Sequence, residues 1–390
     1  MTKTFVAVHN IPSPYRVHLF SVLAERLQTK NISLHVHFMA HIHQDRPHWV
    51  LKNGALSFPH TFWPDLGPTI RGMRWHLNPG LIKELANQPC DYLLVGGLWD
   101  SLTNMLISGM AKRSVGIAWL EGNTKTTGRI GGLALVYKRL LLQRYQFVAV
   151  PGIEGRNYLR LLIPETDSRL NPVILPNIVD ERKFRPKRQT PADGQHAVRS
   201  RFNIAPEDKI AVWPARLVAA KGIVEFLSAV PPQALVGWKL LLLGEGPLKE
   251  KVQSIVRSKG LEKNVVLESY VNYDEMPDIY RAADLFLLPS ISDPNPLSVV
   301  EAMFTGLPIL VSNRIGNYPE ACHEGVNGWG FNPYQPESIL TATKAAFSTP
   351  RERLEEMGRQ SQRIAEDFWG STNAIDRFIT GIIITAPPPS

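Results

Sequence analysis

The sequence predicts an α/β protein of two Rossmann-like domains, and three observations lead there. Phe5–Val8 is an apolar run, Asn10-Ile11-Pro12-Ser13-Pro14 is a short loop, and Tyr15–Leu27 carries Val17, Leu19, Phe20, Leu23, Ala24 and Leu27 at helical spacing. A strand, a tight loop and a helix in that order open a domain of this kind. The same order returns late in the chain. Leu285–Leu288 reads as a buried strand, Ser292–Pro296 as a turn-rich loop, Ser298–Phe304 as a helix stopped by Gly306, and Ile309–Val311 as the next strand. Finally, 390 residues suffice for two domains, and the polar, proline-containing stretch 185–197 lies between the halves.

Composition narrows the class. Hydrophobic residues make up 44% and charged residues 20%, which is globular rather than disordered. Cys90 and Cys322 stand far apart without metal-ligand spacing, as expected for free thiols in a reducing compartment. The first ten residues read as a strand and lack the basic and long apolar regions of a secretion signal. No apolar run approaches the roughly 20 residues that span a bilayer, so a cytoplasmic protein is expected. The net charge of +8 favours anionic partners: nucleotides, anionic lipid heads or nucleic acid. No zinc-finger, helix-turn-helix or aromatic RNA-binding pattern occurs, so nucleic acid is not expected.

Taken in order, the first half offers few motifs. The loop after the first strand lacks the glycines of a dinucleotide fingerprint. Ile32–Phe38 alternates, with His35 and His37 on one face; His41, His43 and His48 follow, and no completed ligand set makes them a metal site. Residues 53–80 form an irregular insertion whose Trp63 and Trp75 suit stacking on a sugar ring or packing in a surface loop. Asp91–Val95 and Val115–Trp119 are strands around a helix at Leu102–Met110. Glu121 follows the second strand; a carboxylate at a strand tip can orient an acceptor or take its proton, or be an ordinary loop residue. Ile130–Tyr145 is a helix with one apolar and one basic side, the pattern of a core helix with a solvated edge or of one lying on an anionic membrane. Phe147–Val150 is read as the last strand of this half.

The second half is denser in signals. Ile210–Trp213 is a strand, and Pro214–Gly222 a loop holding Arg216 and Lys221. Trp238–Leu243 is the next strand, and Gly244 and Gly246 after it allow backbone to approach a ligand. Val265–Leu267 is a strand and Glu275–Ala283 a helix. At the helix that starts near residue 298, free N–H groups and the positive dipole end suit a phosphate. Asp293 and Glu301 bracket that start, one in the loop and one about two turns below, so both can face one crevice. Helices are read at Glu337–Phe347 and Arg351–Phe368, with a free tail at Pro387–Pro389.

These residues resemble the donor-site segment of family-four retaining glycosyltransferases of the GT-B fold: a strand ending in Pro289-Ser290, an acidic loop, and a second acid, Glu301, followed by Ala302. The first acid is Asp293 where the family has Glu. The loop Pro294-Asn295-Pro296-Leu297 replaces a Gly-Phe-Gly-Leu-like run, and its prolines cannot donate to a phosphate. The resemblance is close over 205–335 and looser before it.

It implies two domains facing a cleft: an acceptor domain at 1–180, a linker at 181–198, a donor domain at 199–367, and a final helix, 368–384, crossing back to the first domain. It implies Arg216 and Lys221 on the nucleotide diphosphate with Asn295, Pro296, Leu297 and Ser298 at the helix start. Asp293 would hold the transferred sugar, Glu301 the ribose, and Gly244, Tyr270 and Val271 would line the donor site. Ser13 and Arg16 would lie near the sugar or acceptor, and Glu121 stands where relatives often have a histidine. The expected reaction is metal-independent transfer of a hexose from a nucleotide sugar, UDP-glucose first, to a lipid-linked or polysaccharide acceptor with retention. The nucleotide sugar is then a substrate, and no cofactor is expected. The protein would work in the cytoplasm, at the inner membrane face where residues 130–145 touch anionic lipid. A GDP-sugar-dependent transferase and a non-catalytic sugar-nucleotide-binding protein are the alternatives.

Overall fold

Two all-parallel sheets, each in its own unit, carry the chain in a computed structural model that describes residues 2–41, 56–70, 73–99, 101–128, 131–163, 171–186, 192–269 and 271–385. The first unit comprises Met1–Val179 with Ser371–Ser390, and the second Asp180–Gly370.

The first unit contains β1 (Lys3–His9), α1 (Pro14–Gln28), β2 (Ile32–Phe38), β3 (His60–Phe62), β4 (Thr69–Ile70), β5 (Met73–Arg74) and α2 (Pro79–Asn87). It continues through β6 (Tyr92–Gly96), α3 (Leu102–Ile107), β7 (Val115–Trp119), α4 (Gly132–Leu142), β8 (Phe147–Val150), α5 (Ile153–Leu162) and β9 (Asn171–Ile174). Its sheet runs β3-β2-β1-β6-β7-β8-β9. The apolar runs read from the sequence become strands that face two buried layers. Phe5, Ala7, Leu94, Ile117 and Ala149 face one of them, and Val6, Val8, Leu93, Val95, Ala118 and Val148 the other.

The second unit holds α6 (Glu181–Phe184), α7 (Ala192–Arg201), β10 (Lys209–Pro214), α8 (Ile223–Ala229), β11 (Trp238–Leu243), α9 (Lys249–Ser258), β12 (Val265–Glu268) and α10 (Met276–Ala282). Then come β13 (Leu285–Leu288), α11 (Leu297–Thr305), β14 (Ile309–Ser312), α12 (Tyr318–Ala321), β15 (Gly328–Phe331), α13 (Pro336–Phe347) and α14 (Arg351–Trp369). Its sheet runs β12-β11-β10-β13-β14-β15. The last helix, α15 (Ser371–Thr385), buries Ala374, Ile375, Phe378, Ile379 and Ile382 in the first unit's core. Each large apolar side chain so buried stabilises by about 2 kcal/mol. Arg26 of α1 grips Asp376 of this helix through Nε and Nη2, at 2.7 and 2.8 Å.

Several elements differ from the sequence expectation. The first sheet does not end at Phe147–Val150, because β9 pairs outside β8. Its Pro172 has no N–H, which an edge strand tolerates. Within 53–80, β3 extends the sheet beside β2, and β4 and β5 form a small hairpin. Strands of three and two residues are too short to show a period. The linker expected over 181–198 contains α6 and most of α7, whose Val198 is buried beneath a polar exterior.

In each unit the strand order reverses beside one strand. β1 lies between β2 and β6, and β10 between β11 and β13. Parallel sheets of this design bind ligands outside the carboxyl ends of the strands at such a reversal.

Candidate functional site

In the second unit the reversal lies between β10 and β13, and the loops leaving these strands are tied together through backbone. The N–H groups of Ile291 and Ser292 donate to Ala220 O at 2.9 and 3.1 Å, and Leu217 N donates to Glu245 O at 2.8 Å. Gly222 has φ +66°, and a Cβ on it would stand 2.0 Å from Pro289 O. A Cβ on Gly244 would stand 2.1 Å from Ala215 O. Glycine is required at both positions because backbone passes against backbone.

This lacing sets three charged groups in place. Arg216 is exposed, and its guanidinium makes no hydrogen bond among the described residues. Lys221 Nζ pairs with Asp293 Oδ2, their side chains only 20% and 11% exposed. Asp293 is anchored by its own backbone, whose carbonyl accepts from Gly316 N at 2.9 Å. Beside it, α11 begins after Pro296, which offers no side-chain cap. The first N–H groups of such a helix have no intrahelical acceptor and face outward with the positive dipole end. Asn295, Leu297 and Ser298 at this start are half-buried, and Gly306 closes the helix at φ +87°. The arrangement combines one paired cation, one exposed cation, amide donors at a helix start and a carboxylate, which suits a pyrophosphate joined to a polyhydroxylated group.

Glu301 lies one helical stretch below, 7% exposed. Its Oε1 accepts from Tyr273 OH at 3.0 Å and its Oε2 from Tyr280 OH at 3.1 Å. Burial pushes its pKa up to about 7, against the opposing hydrogen bonds of both phenols and the charge of Lys183. Burial and the carboxylate likewise raise both tyrosines. Phe184 of α6 stacks edgewise on Tyr273 and against Tyr280, each at 6.1 Å. These two tyrosines escape a reading of the sequence: Glu275–Ala283 shows only as a helix, and nothing local marks Tyr280 as a partner for residue 301. Val271 is buried, whereas Tyr270 lies outside the described residues.

In the first unit, a second polar cluster gathers at the strand ends. Arg16, in the first turns of α1, is 1% exposed. Its Nη1 donates to Asn177 Oδ1 at 2.9 Å, its Nη2 donates to Glu121 Oε1, and its guanidinium lies 4.1 Å from the Trp119 ring centroid. The Glu121 side chain remains 46% exposed. Desolvation would raise its pKa, but the charge of Arg16 and hydrogen bonds from Arg16 and Asn177 outweigh that and hold it below the usual carboxylate range. His9, at the end of β1, is pressed down to about 3 by burial and by Arg16, so it is neutral at physiological pH. Ser13 is 1% exposed, and its Oγ has no hydrogen-bond partner among the described residues. Arg16 thus spends its charge on Glu121, leaving that carboxylate as the exposed acid of the cluster.

Other sequence candidates have structural partners. Trp63 Nε1 donates to His37 Nδ1 at 3.0 Å, and His35 bonds Thr61 Oγ1 at 2.9 Å, so these side chains knit β2 to β3. His43 and His48 lie outside the described residues. On α4, Leu133, Val136 and Leu140 are exposed, while Lys138 reaches Tyr158 OH at 3.0 Å and Arg139 reaches Leu162 O at 2.6 Å. The outward side of this helix is therefore apolar, with its basic groups turned partly toward α5.

Residues 195–363 match the family described as glycosyl transferases group 1. A similar curated protein is the uncharacterized glycosyltransferase MJ1607 of Methanocaldococcus jannaschii, 30% identical over 152 residues, or 38% of each chain. Another is the GDP-mannose-dependent alpha-(1-6)-phosphatidylinositol monomannoside mannosyltransferase of Mycolicibacterium smegmatis, 28% identical over 206 residues, which are 50% of this chain and 52% of the relative. The chain thus spans between 38% and 52% of these relatives' lengths. Among solved structures, Anabaena Alr3699/HepE in complex with UDP-glucose has a TM-score of 0.68 at 13% identity, covering 97% of this chain and 99% of that one. This likeness shows the fold, GT-B with two Rossmann-like units.

Proposed function

We propose, for a chain whose residues 195–363 match the glycosyl transferases of group 1, that it moves a hexose from a nucleotide sugar to a hydroxyl acceptor with retention of configuration. The observation that carries this reading is the joint placement of Lys221, Asp293 and the start of α11 at the strand reversal of the second unit.

Each group then has a task. Arg216, Lys221 and the amides at 295–298 neutralise the diphosphate, whose charge grows as the glycosidic bond breaks; no metal is needed for this. Asp293 accepts from hydroxyls of the transferred sugar. Glu301 accepts from the ribose, and Gly244 with the backbone of Val271 lines the nucleotide. Glu121, held by Arg16, orients the acceptor. The acceptor hydroxyl attacks the anomeric carbon, the bond to the diphosphate oxygen breaks, and the departing phosphate takes the hydroxyl proton.

UDP-glucose is the first donor to try, supported by the UDP-glucose bound to the structurally similar HepE. A GDP-sugar is the second, because the mycobacterial relative is named as GDP-mannose-dependent. The acceptor proposed is a lipid-linked or polysaccharide chain. The exposed apolar side of α4, flanked by basic residues, supports contact with an anionic membrane at its cytoplasmic face.

The test is titration of UDP and GDP into the wild-type protein and the Arg216→Ala, Lys221→Ala double variant. Loss of two charge-assisted contacts should weaken the better ligand by roughly 100-fold or more. Undiminished affinity overturns the assignment. Binding without turnover of any sugar nucleotide, even with acceptor extracts, would instead favour a non-catalytic binding protein.

A further inference from the structure

We infer that Tyr273 and Tyr280 are positioning residues that aim the Glu301 carboxylate at the ribose diol, with Phe184 bracing both rings. The inference rests on the proposed donor site and adds the groups that make its deepest contact selective.

A carboxylate on a helix has rotatable χ angles, and a buried one needs partners to satisfy it. Glu301 receives one phenol on each oxygen, at 3.0 and 3.1 Å. The two bonds come from different segments. Tyr280 is on α10 and fully buried, while Tyr273 belongs to the turn Tyr273–Glu275 before α10 and is 39% exposed. Fixed at both oxygens, the carboxyl plane cannot turn. An ionised carboxylate has about four lone-pair sites, so two remain for a ligand. Two acceptor sites at a fixed spacing match two adjacent hydroxyls. Phe184 contacts both rings and is itself 0% exposed, so neither phenol can withdraw from the carboxylate without opening a packed cluster.

A purely structural role for the tyrosines would alter folding but not the discrimination between ribose and deoxyribose. The experiment measures dissociation constants of UDP, GDP and their 2′-deoxy counterparts for wild type, Tyr280→Phe and Tyr273→Phe, with a thermal melt of each. Wild type should favour the better ribonucleotide over its deoxy form by about tenfold or more, the value of a hydrogen bond to a charged group. Each phenylalanine variant should weaken the ribonucleotide severalfold, weaken the deoxynucleotide, which keeps only the 3′-hydroxyl, by less, and so narrow the ratio. If Tyr280→Phe fails to fold, the half-exposed Tyr273→Phe supplies the same ratio. Equal affinity for ribo and deoxy forms in wild type overturns both this inference and the ribose role of Glu301. A wild-type preference that persists undiminished in the folded variants overturns the role of the tyrosines alone.

Discussion

Glu301 makes a pH prediction because its surroundings hold its proton. Its folded pKa of about 7 lies above the ordinary 4.5, so the folded protein binds this proton more tightly than the unfolded chain does. The favourable contribution is therefore full below about pH 4.5 and is lost as pH rises toward 7. The loss is at most about 3 kcal/mol, at 1.36 kcal/mol per pKa unit. Glu301→Gln should remove this part of the pH dependence of urea unfolding between pH 4.5 and 7.5; an unchanged curve would contradict the assignment. Glu121 sits in the opposite situation. Its neighbours favour the charged form, and its side chain remains half exposed. Glu121→Gln keeps an acceptor for Arg16, so the melt should shift by only a few degrees, whereas transfer should fall at least tenfold if this carboxylate serves the acceptor. Asp293 and Glu301 could be picked out from the sequence because they bracket a helix start, and Arg216 and Lys221 because the segment around them resembles the donor site of a known family. Tyr273 and Tyr280 could not, because their hydroxyls acquire meaning only when α10 packs beside α11.

At the scale of elements, three loops share one tight crossing, and Gly222 marks it. Alanine there takes on a left-handed backbone cost of about 1 kcal/mol and places Cβ against Pro289 O, a backbone atom unable to swing aside. Gly222→Ala should therefore weaken nucleoside diphosphate binding at least tenfold and lower the melting temperature. Gly128→Ala, whose added Cβ meets nothing within 4 Å, is the control and should do neither. Equal behaviour of the two variants would refute the idea that this crossing positions Lys221. Long strands and helices such as β1, α1, β11 and α11 announce themselves by apolar runs and stop signals. The small pieces do not. β3 gains its hydrogen bonds from β2, and β9 is admitted as an edge strand despite Pro172. Helix α7 is polar along most of its surface yet settles through Val198.

For the molecule as a whole, the net charge of +8 and the apolar side of α4 predict adsorption to anionic vesicles. Replacing Leu133, Val136 and Leu140 with serine should abolish co-sedimentation with such vesicles at low salt and leave the melt within about 2 °C, since all three side chains are exposed. Retained co-sedimentation would remove α4 from the membrane reading. What the sequence alone determined is the alternation of buried strands and helices, the presence of two sheets, and the acids and cations that follow particular strands. These follow from local rules: apolar periodicity, glycine at special backbone angles, and free amides at a helix start. Tertiary structure decided the rest. It paired Lys221 with Asp293 across 72 residues and Arg16 with Glu121 across 105, and it closed two phenols on Glu301. Those partnerships depend on which loops emerge side by side at a strand reversal, and the order of strands within a sheet is set by packing between distant segments rather than by any local pattern.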